Sequence, residues 1–251
     1  MKTNKVLIST FFLLILASCG GGREFVKNPV DNLIRDMSDE PLFSIILYDM
    51  DADGSFFKTY KHQYKVIKDN NGTPSEEITD WYEVDEDYFF RNENNMGMEI
   101  AAKTSDGKVS KTAAPPGYSN YVGNEKYGRW TQRNGTSFWE FYGQYAFMSS
   151  MFNMFAYPVR RSYYDDWRGG YYGRRPYYGP ATGTGGTYYG TYSDYNRKSK
   201  PTSTWYNKAS NRSFRDRVRS RTQRSTSSNS RSRSRYSSGS RSRSRGGGFG
   251  K

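Results

Sequence analysis

The stretch that decides the fold runs from Leu42 to Ile67 and reads LFSIILYDM, DADG, SFFKTYKHQYKVI. Two runs rich in aromatic and β-branched residues flank the pair Asp53-Gly54, which is the pattern of a β-hairpin. Polar residues alternate with larger ones in the second run. We therefore predict an antiparallel hairpin whose second strand turns one side toward water.

Sequence on both sides of the hairpin extends this interpretation. Residues 79–90 and 96–104 have strand composition, and residues 28–41 indicate one short helix in a loosely docked segment. The segment 137–157 has helical length and no proline, which favours a helix packed on the sheet. A contact with a membrane or partner protein and an irregular aromatic segment are the alternatives. The predicted fold class is α+β, a small β-rich domain over residues 38–157 with a hairpin or meander and one packed helix.

Charge is distributed unevenly along the chain. The net charge is +13, yet residues 197–251 hold 17 Lys or Arg against one acid, so the remainder is mildly acidic. Residues 158–196 repeat paired tyrosines with Gly and Arg, which is typical of a flexible low-complexity linker. Residues 197–251 are rich in Ser and Arg and poor in aliphatic residues, so we predict a disordered basic tail. The predicted polyanion-binding residues are Arg231, Arg233, Arg235, Arg241, Arg243 and Arg245.

The N-terminus has the pattern of an export signal. Two lysines precede an uncharged apolar run over residues 6–17. A membrane-spanning helix needs about 20 apolar residues, so the run fits the core of a signal peptide better. An ordinary cleavable signal and an N-terminal anchor helix are the alternatives. The run ends in Leu16, Ala17, Ser18 and Cys19, and Cys19 is the single cysteine of the chain.

These four residues resemble the lipobox of bacterial lipoproteins. The resemblance implies a signal peptide over residues 1–18 and a lipidated tether over residues 19–37. It also implies that Cys19 carries diacylglycerol and an N-acyl chain such as palmitate, which together hold a protein stably on a membrane. The expected location is the bacterial cell membrane, and Gly20 after the cysteine favours the outer membrane over the inner one.

A second resemblance concerns the body of the chain. The blocks YVGNEKYGRW and SFWEFYGQY, together with the closing GGGFGK, are similar to uncharacterised bacterial envelope proteins. This resemblance implies no activity and transfers no functional residue.

The best chemical motif of the body is DMDADG. Asp49, Asp51 and Asp53 occupy alternate positions of a calcium-loop pattern, which permits a weak cation site. Tyr60 stands where a bidentate Glu would complete the shell, so a hairpin turn is the preferred interpretation. No metal site is predicted beyond this candidate, and the lipid is the only expected cofactor.

Residue types also bear on catalysis. His62 is the only histidine and no second cysteine exists, which excludes common zinc sites and thiol catalysis. Paired carboxylates for glycoside hydrolysis could come from an acidic group, for which a solvated surface is the preferred interpretation. That group consists of Glu76, Glu77, Asp80, Glu83, Asp85, Glu86 and Asp87. No catalytic residue is predicted.

The preferred function is therefore a structural or interaction role for a membrane-anchored lipoprotein of the cell envelope. The expected partners are the membrane, a protein, or anionic envelope polymers bound by the basic tail: lipopolysaccharide, anionic lipid or peptidoglycan. The alternative is a lipoprotein that binds extracellular nucleic acid, because arginines and tyrosines are interspersed. An envelope enzyme is the third, less favoured hypothesis.

Overall fold

The computed structural model describes residues 28–54, 58–70, 72–154, 156–183 and 186–205, which form an α+β domain. The strands are β1 (Phe43–Asp53), β2 (Thr59–Asn70), β3 (Thr73–Ile78), β4 (Tyr82–Val84), β5 (Glu99–Lys103), β6 (Val109–Ser110), β7 (Gly128–Arg133) and β8 (Thr136–Phe141). The α-helices are α1 (Pro29–Asp36), α2 (Glu86–Arg91), α3 (Met148–Met151), α4 (Arg161–Gly170) and α5 (Asp194–Ser199). A 3-10 turn, Gly143–Tyr145, precedes α3.

The predicted hairpin is confirmed and forms the centre of the larger sheet. β1 and β2 pair antiparallel from Phe43 opposite Lys68 to Asp53 opposite Thr59. The sheet has the order β3-β2-β1-β5-β6, with β4 also paired to β2. The register shifts between Leu47 and Asp49, which makes a β-bulge at the residue between them.

Both faces of this sheet are covered. On one face His62 of β2 stacks on Phe89 of α2, with ring centroids 5.2 Å apart. On the other face Ile46, Ile67 and Met98 join a large buried cluster made mostly of aromatic side chains. The polar side of β2 is consequently half-buried at residues 61–65 and does not form a water-exposed strip.

The predicted helix over residues 137–157 is wrong. β7 and β8 form a second hairpin instead, and a 3-10 turn and the four-residue α3 follow it. Asn134 and Gly135 at its tip have φ values of 51° and 77°, which a two-residue type I′ turn requires. This turn fixes the hairpin, and Trp139 and Phe141 on alternate positions of β8 are then both buried.

The other elements predicted around the first sheet are confirmed in part. Residues 79–90 give only the short β4 before Asp85 caps α2 by accepting hydrogen bonds from two backbone N–H groups. The strand predicted over 96–104 is confirmed as β5. The helix predicted near the start is confirmed as α1, but Val30 and Met37 are buried, so the domain begins within the predicted tether 19–37.

The predicted flexible linker over residues 158–196 is wrong. It contributes α4 and α5, and its Trp167, Tyr177, Tyr189 and Tyr195 are buried. A buried tyrosine contributes a large apolar ring and needs one partner for its hydroxyl. Two of these tyrosines have such a partner: the Tyr195 hydroxyl donates to a backbone carbonyl at 2.7 Å, and the Tyr189 hydroxyl lies 3.1 Å from that of a second tyrosine.

The ordered chain also extends beyond the predicted boundary at residue 197. Residues 197–199 complete α5, and Ser203 and Trp205 are buried. The compact unit reaches Trp205, so the domain boundary lies about 50 residues later than the sequence indicated at 157. None of the helices in the described ranges has the length and apolar character needed to cross a membrane.

Candidate functional site

The three aspartates of the DMDADG motif lie along β1 and do not gather in a loop. Successive residues on one side of a strand are about 6.7 Å apart, so the three carboxylates are spread out. Asp49 accepts a hydrogen bond from the Ser203 hydroxyl at 2.6 Å, and Asp51 accepts one from Thr204 at 2.8 Å. Asp53 lies 3.7 Å from the Lys61 ammonium group. The geometry contradicts a calcium loop, and the carboxylates of Asp49 and Asp51 instead hold the chain near residue 204.

Across residues 28–205, gaps excepted, no group of three or more His, Cys, Asp or Glu is placed to hold a metal ion. His62 is fully buried, and its Nδ1 lies 3.1 Å from the Tyr64 hydroxyl. Burial lowers the pKa of His62 to about 3, so this side chain is neutral at physiological pH. It is a core residue on the helix-covered face of the sheet.

The seven residues of the acidic group are exposed on β3, β4, α2 and the turns between them. Three have local structural partners. Asp85 caps α2, Glu86 accepts a hydrogen bond from the Tyr60 hydroxyl at 3.0 Å, and Glu76 lies 2.8 Å from the Lys65 ammonium group. The lipobox, residues 16–19, and the six arginines from 231 to 245 lie outside the described residues.

The most distinctive surface of the domain combines exposed arginines with aromatic rings on α4 and the second hairpin. We name it the arginine–aromatic face. Its cations are Arg160, Arg161, Arg168 and Arg175, and its rings are Trp130, Phe138, Tyr163, Tyr171 and Tyr172. Every one of these arginines is exposed, and every ring is half-buried.

The sequence of α4 explains how this face forms. Trp167 points into the core and fixes the helix against the aromatic cluster. Arg161 and Arg168 are seven residues apart, which is two helical turns, so they share one side of α4 about 10 Å from each other. The backbone N–H of Trp139 donates to the carbonyl of Val159 at 2.9 Å, and this bond connects β8 to the start of α4.

At the start of α4 each guanidinium group lies over a ring. Arg160 is 5.9 Å from the ring centroid of Phe138 and 5.5 Å from that of Tyr163. Arg161 is 5.8 Å from the centroid of Trp130. Cation–π attraction at these distances contributes about 0.5–1 kcal/mol at an exposed site. Phe138 and Trp130 face opposite sides of the second hairpin, because Phe138 pairs with Thr131 and Trp130 pairs with Trp139. The rings therefore orient Arg160 and Arg161 on different sides of the hairpin.

At the end of α4 the same arrangement is tighter. The Arg168 guanidinium lies 4.8 Å from the ring centroid of Tyr172, and that of Arg175 lies 4.2 Å from the centroid of Tyr171. Within the described residues no carboxylate is within ion-pair distance of either arginine, or of Arg160. Arg161 is the exception, at 3.6 Å from Asp165, and both of those side chains are more than half exposed.

No match is found among known protein families, curated proteins or solved structures. A guanidinium group stacked on a ring keeps its N–H edge free, and that edge donates two parallel hydrogen bonds to a phosphate or carboxylate. Several such groups at fixed spacing suit an extended anionic ligand.

The sequence indicated the residue types of this face but not that they are held in a folded structure. Paired tyrosines next to arginines were visible in residues 158–196, and they favoured sticky multivalent contacts. The missing signal was burial of Trp167 and the tyrosines, which converts a flexible segment into a fixed surface. The rings supplied by β7 and β8 come from sequence about 30 residues earlier.

Proposed function

We propose that the protein is a lipid-anchored protein of the bacterial cell envelope with a binding role, and that its folded domain holds an anionic glycan through the arginine–aromatic face. The observation that carries the proposal is the set of four exposed arginines oriented by aromatic rings, three of which lack a carboxylate partner in the described chain. The rings hold the guanidinium groups in place, and the guanidinium groups take the phosphates or carboxylates of the glycan.

Charge supports an anionic ligand at this part of the domain. Residues 158–205 hold eight Lys or Arg against three Asp, whereas residues 28–157 hold more acids than bases. Each exposed cation near an anionic surface contributes about 1 kcal/mol, and salt screens this attraction. Binding through the face is therefore expected to be multivalent and to weaken as the ionic strength rises.

The anchoring part of the proposal rests on Leu16, Ala17, Ser18 and Cys19. In cells that process lipoproteins, wild-type protein is expected in the membrane fraction and is labelled by a radioactive or clickable fatty acid. Cys19→Ala is expected to lose the label, while Cys19→Ala protein still binds glycan through its domain. Fatty-acid labelling of Cys19→Ala would contradict the anchor without affecting the glycan proposal.

The face is tested with purified lipopolysaccharide as the probe and protein lacking residues 1–19. Arg168→Gln/Arg175→Gln is expected to weaken binding at least tenfold at low salt. The control Arg35→Gln/Lys61→Gln removes the same charge from two ion-paired residues of α1 and β2 and is expected to change affinity less than threefold. Equal losses in both double variants would show that net charge alone matters and would overturn the role of the face.

The basic tail is tested separately by ending the chain after Trp205, because residues 197–205 belong to the folded domain. If the tail reinforces polyanion binding, truncation reduces both affinity and its salt dependence. Single-stranded DNA serves as the second probe, since stacked rings and arginines also suit its bases and phosphates. Tighter binding of DNA than of lipopolysaccharide by the truncated domain would favour the nucleic-acid alternative.

A further inference from the structure

A cleft of about 260 Å³ lies where β1 and β2 meet α3 and α5, on the same face of the first sheet as the aromatic cluster. Three lysines, Lys65, Lys198 and Lys200, line this cleft together with several polar residues. We name it the lysine cleft. Those polar residues are Tyr48, Ser150, Asn153, Asn196 and Ser199. None of the arginine–aromatic residues lines this cleft.

The fold brings the lysines together from distant parts of the chain. Tyr48 occupies the bulge of β1, and Lys65 lies on β2 opposite Ile46. Lys198 and Lys200 stand at the end of α5, which begins with Ser193 as its cap. Two of these lysines contact the same aromatic ring, that of Tyr48. Lys200 Nζ lies 2.9 Å and Lys65 Nζ lies 5.5 Å from its ring centroid.

The cleft has an excess of positive charge. Glu76 lies 2.8 Å from Lys65, and in the described part of the chain no carboxylate is within 4 Å of Lys198 or Lys200. Lys198 instead lies 5.4 Å from the ring centroid of Tyr157. Two ammonium charges therefore remain without a counter-charge from the domain, which matches the charge of a phosphate monoester near neutral pH.

Part of the remaining wall is polar and held by hydrogen bonds, and the rest is apolar. The Asn153 amide donates to the Ser199 hydroxyl at 2.6 Å, and the Ser199 hydroxyl donates to the carbonyl of Tyr195 at 2.7 Å. A ligand hydroxyl is the kind of group that such walls orient. The volume is below the usual range for drug-sized ligands, about 300–1,000 Å³, so the ligand must be small.

We propose that the lysine cleft binds the phosphate monoester of a small sugar, with Lys198 and Lys200 on the phosphate and the amide and hydroxyl wall on the sugar. The site is independent of the arginine–aromatic face, so a small-molecule ligand adds a second binding activity to the domain. Binding of the phosphate moves the Lys200 ammonium group away from the Tyr48 ring, because one ammonium group cannot contact the ring centre and the phosphate at the same time.

The test uses calorimetry with glucose 6-phosphate as the probe, glucose and glucuronate as comparison ligands, and full-length mature protein at constant ionic strength. Wild-type protein is expected to bind glucose 6-phosphate at least tenfold more tightly than glucuronate, and not to bind glucose measurably. Lys198→Gln/Lys200→Gln is expected to lose at least tenfold in affinity. The control Lys61→Gln/Lys108→Gln removes two surface lysines that sit in ion pairs elsewhere, and it keeps wild-type affinity.

Thermal melting of each variant confirms that it is folded. Equal affinity of both lysine double variants for glucose 6-phosphate would overturn the site, because binding would then depend on charge elsewhere. Equal binding of glucuronate would overturn the assignment of a phosphate monoester. Lipopolysaccharide binding by Lys198→Gln/Lys200→Gln stays at the wild-type level, which separates this proposal from that of the arginine–aromatic face.

Discussion

Trp205 packs edge-on against Phe89, with their ring centroids 4.9 Å apart, so the last described residue of the chain is joined to the helix that covers the first sheet. Phe89 in turn stacks on His62 of β2. The contact therefore links three parts of the sequence that are far apart. It defines the C-terminal limit of the folded domain by packing, where composition placed it much earlier.

The first prediction concerns this contact. Trp205→Ala is expected to lower the free energy of unfolding by about 3–5 kcal/mol, because removal of a buried tryptophan leaves a cavity. Trp81 is the matched control, since it is 43% exposed and its replacement by alanine should cost less than about 1 kcal/mol. Urea unfolding followed by circular dichroism measures both. Similar losses for the two variants would contradict the assigned packing of Trp205.

The second prediction concerns the backbone at the wall of the lysine cleft. Gly97 and Gly107 share a φ of 80°, a conformation that costs a side chain about 1 kcal/mol or more. A Cβ on Gly97 would also lie 2.6 Å from the Oδ1 of buried Asn196, whereas one on Gly107 meets no atom within 4 Å. Gly97→Ala should therefore destabilise the domain by about 1–3 kcal/mol more than Gly107→Ala, measured by urea unfolding. Equal costs would exclude the predicted clash.

The third prediction is a pH dependence that comes from Glu99. Burial raises the pKa of this carboxyl to about 7, although the hydroxyls of Ser44 and Ser119 and the backbone N–H of Gly117 act in the opposite direction. None of these donors reaches good hydrogen-bond geometry, and both carboxyl oxygens are enclosed. Between the ordinary pKa and about 7, the folded protein keeps a proton that the unfolded chain releases. The free energy of unfolding must therefore fall as the pH rises through this window, by roughly 3 kcal/mol in total.

Glu99→Gln is expected to remove this slope and to make the domain more stable than wild type above pH 8. The exposed Glu140→Gln serves as the control and should retain the wild-type slope. Thermal or urea unfolding at pH values from 5 to 9 provides the measurement. A wild-type slope in Glu99→Gln would assign the dependence to another group.

The fourth prediction concerns Asp69, which is buried at the end of β2. Burial opposes its ionisation, but hydrogen bonds from the Lys126 ammonium group, the Tyr127 hydroxyl and the Gly72 N–H outweigh it and lower its pKa. Its stabilising contribution is therefore present above the ordinary carboxyl pKa and is lost as the pH falls through the lowered value. Asp69→Asn should cost about 2–3 kcal/mol at pH 7.

Lys126→Met tests which of these partners matters. The Lys126 side chain is 47% exposed, so its ion pair with Asp69 is worth less than about 1 kcal/mol. The expected order of destabilisation by urea unfolding is Asp69→Asn above Lys126→Met. The reverse order would show that the ion pair, and not the buried acceptor, holds the loop near Tyr127.

The first hairpin could be predicted because its information is local. Asp53 and Gly54 stand between two runs with strand composition, and these runs do pair as β1 and β2. The turn lies later than the sequence indicated, because β1 continues through Asp53 and β2 begins only at Thr59. The same kind of signal, Asn134-Gly135, was present in the second hairpin, but the dense apolar residues that follow it favoured a helix. The segment forms a hairpin and not a helix, because alternate positions of β8 bury Trp139 and Phe141 and no helical spacing of apolar residues is needed.

The C-terminal part of the domain could not be predicted from hydropathy. Tyrosine is scored as moderately polar, so a tyrosine-rich segment does not look like a core. In the folded domain the hydroxyls of Tyr118 and Tyr189 contact each other, and both rings can be buried. The lysine cleft had no sequence signal either. Lys65 and Lys200 are 135 positions apart, and no spacing rule joins them.

Contacts of this range have a consequence for the order of events during synthesis. The Thr191 hydroxyl accepts from the backbone N–H of Met96 and donates to the carbonyl of Glu93, and Ser203 bonds to Asp49 across 154 positions. The central strands of the sheet are thus made long before the residues that cover them. A nascent chain cannot close its core until Trp205 has emerged, and domains dominated by distant contacts fold slowly. Until then the buried side chains of β1 and β2 lack part of the chain that covers them.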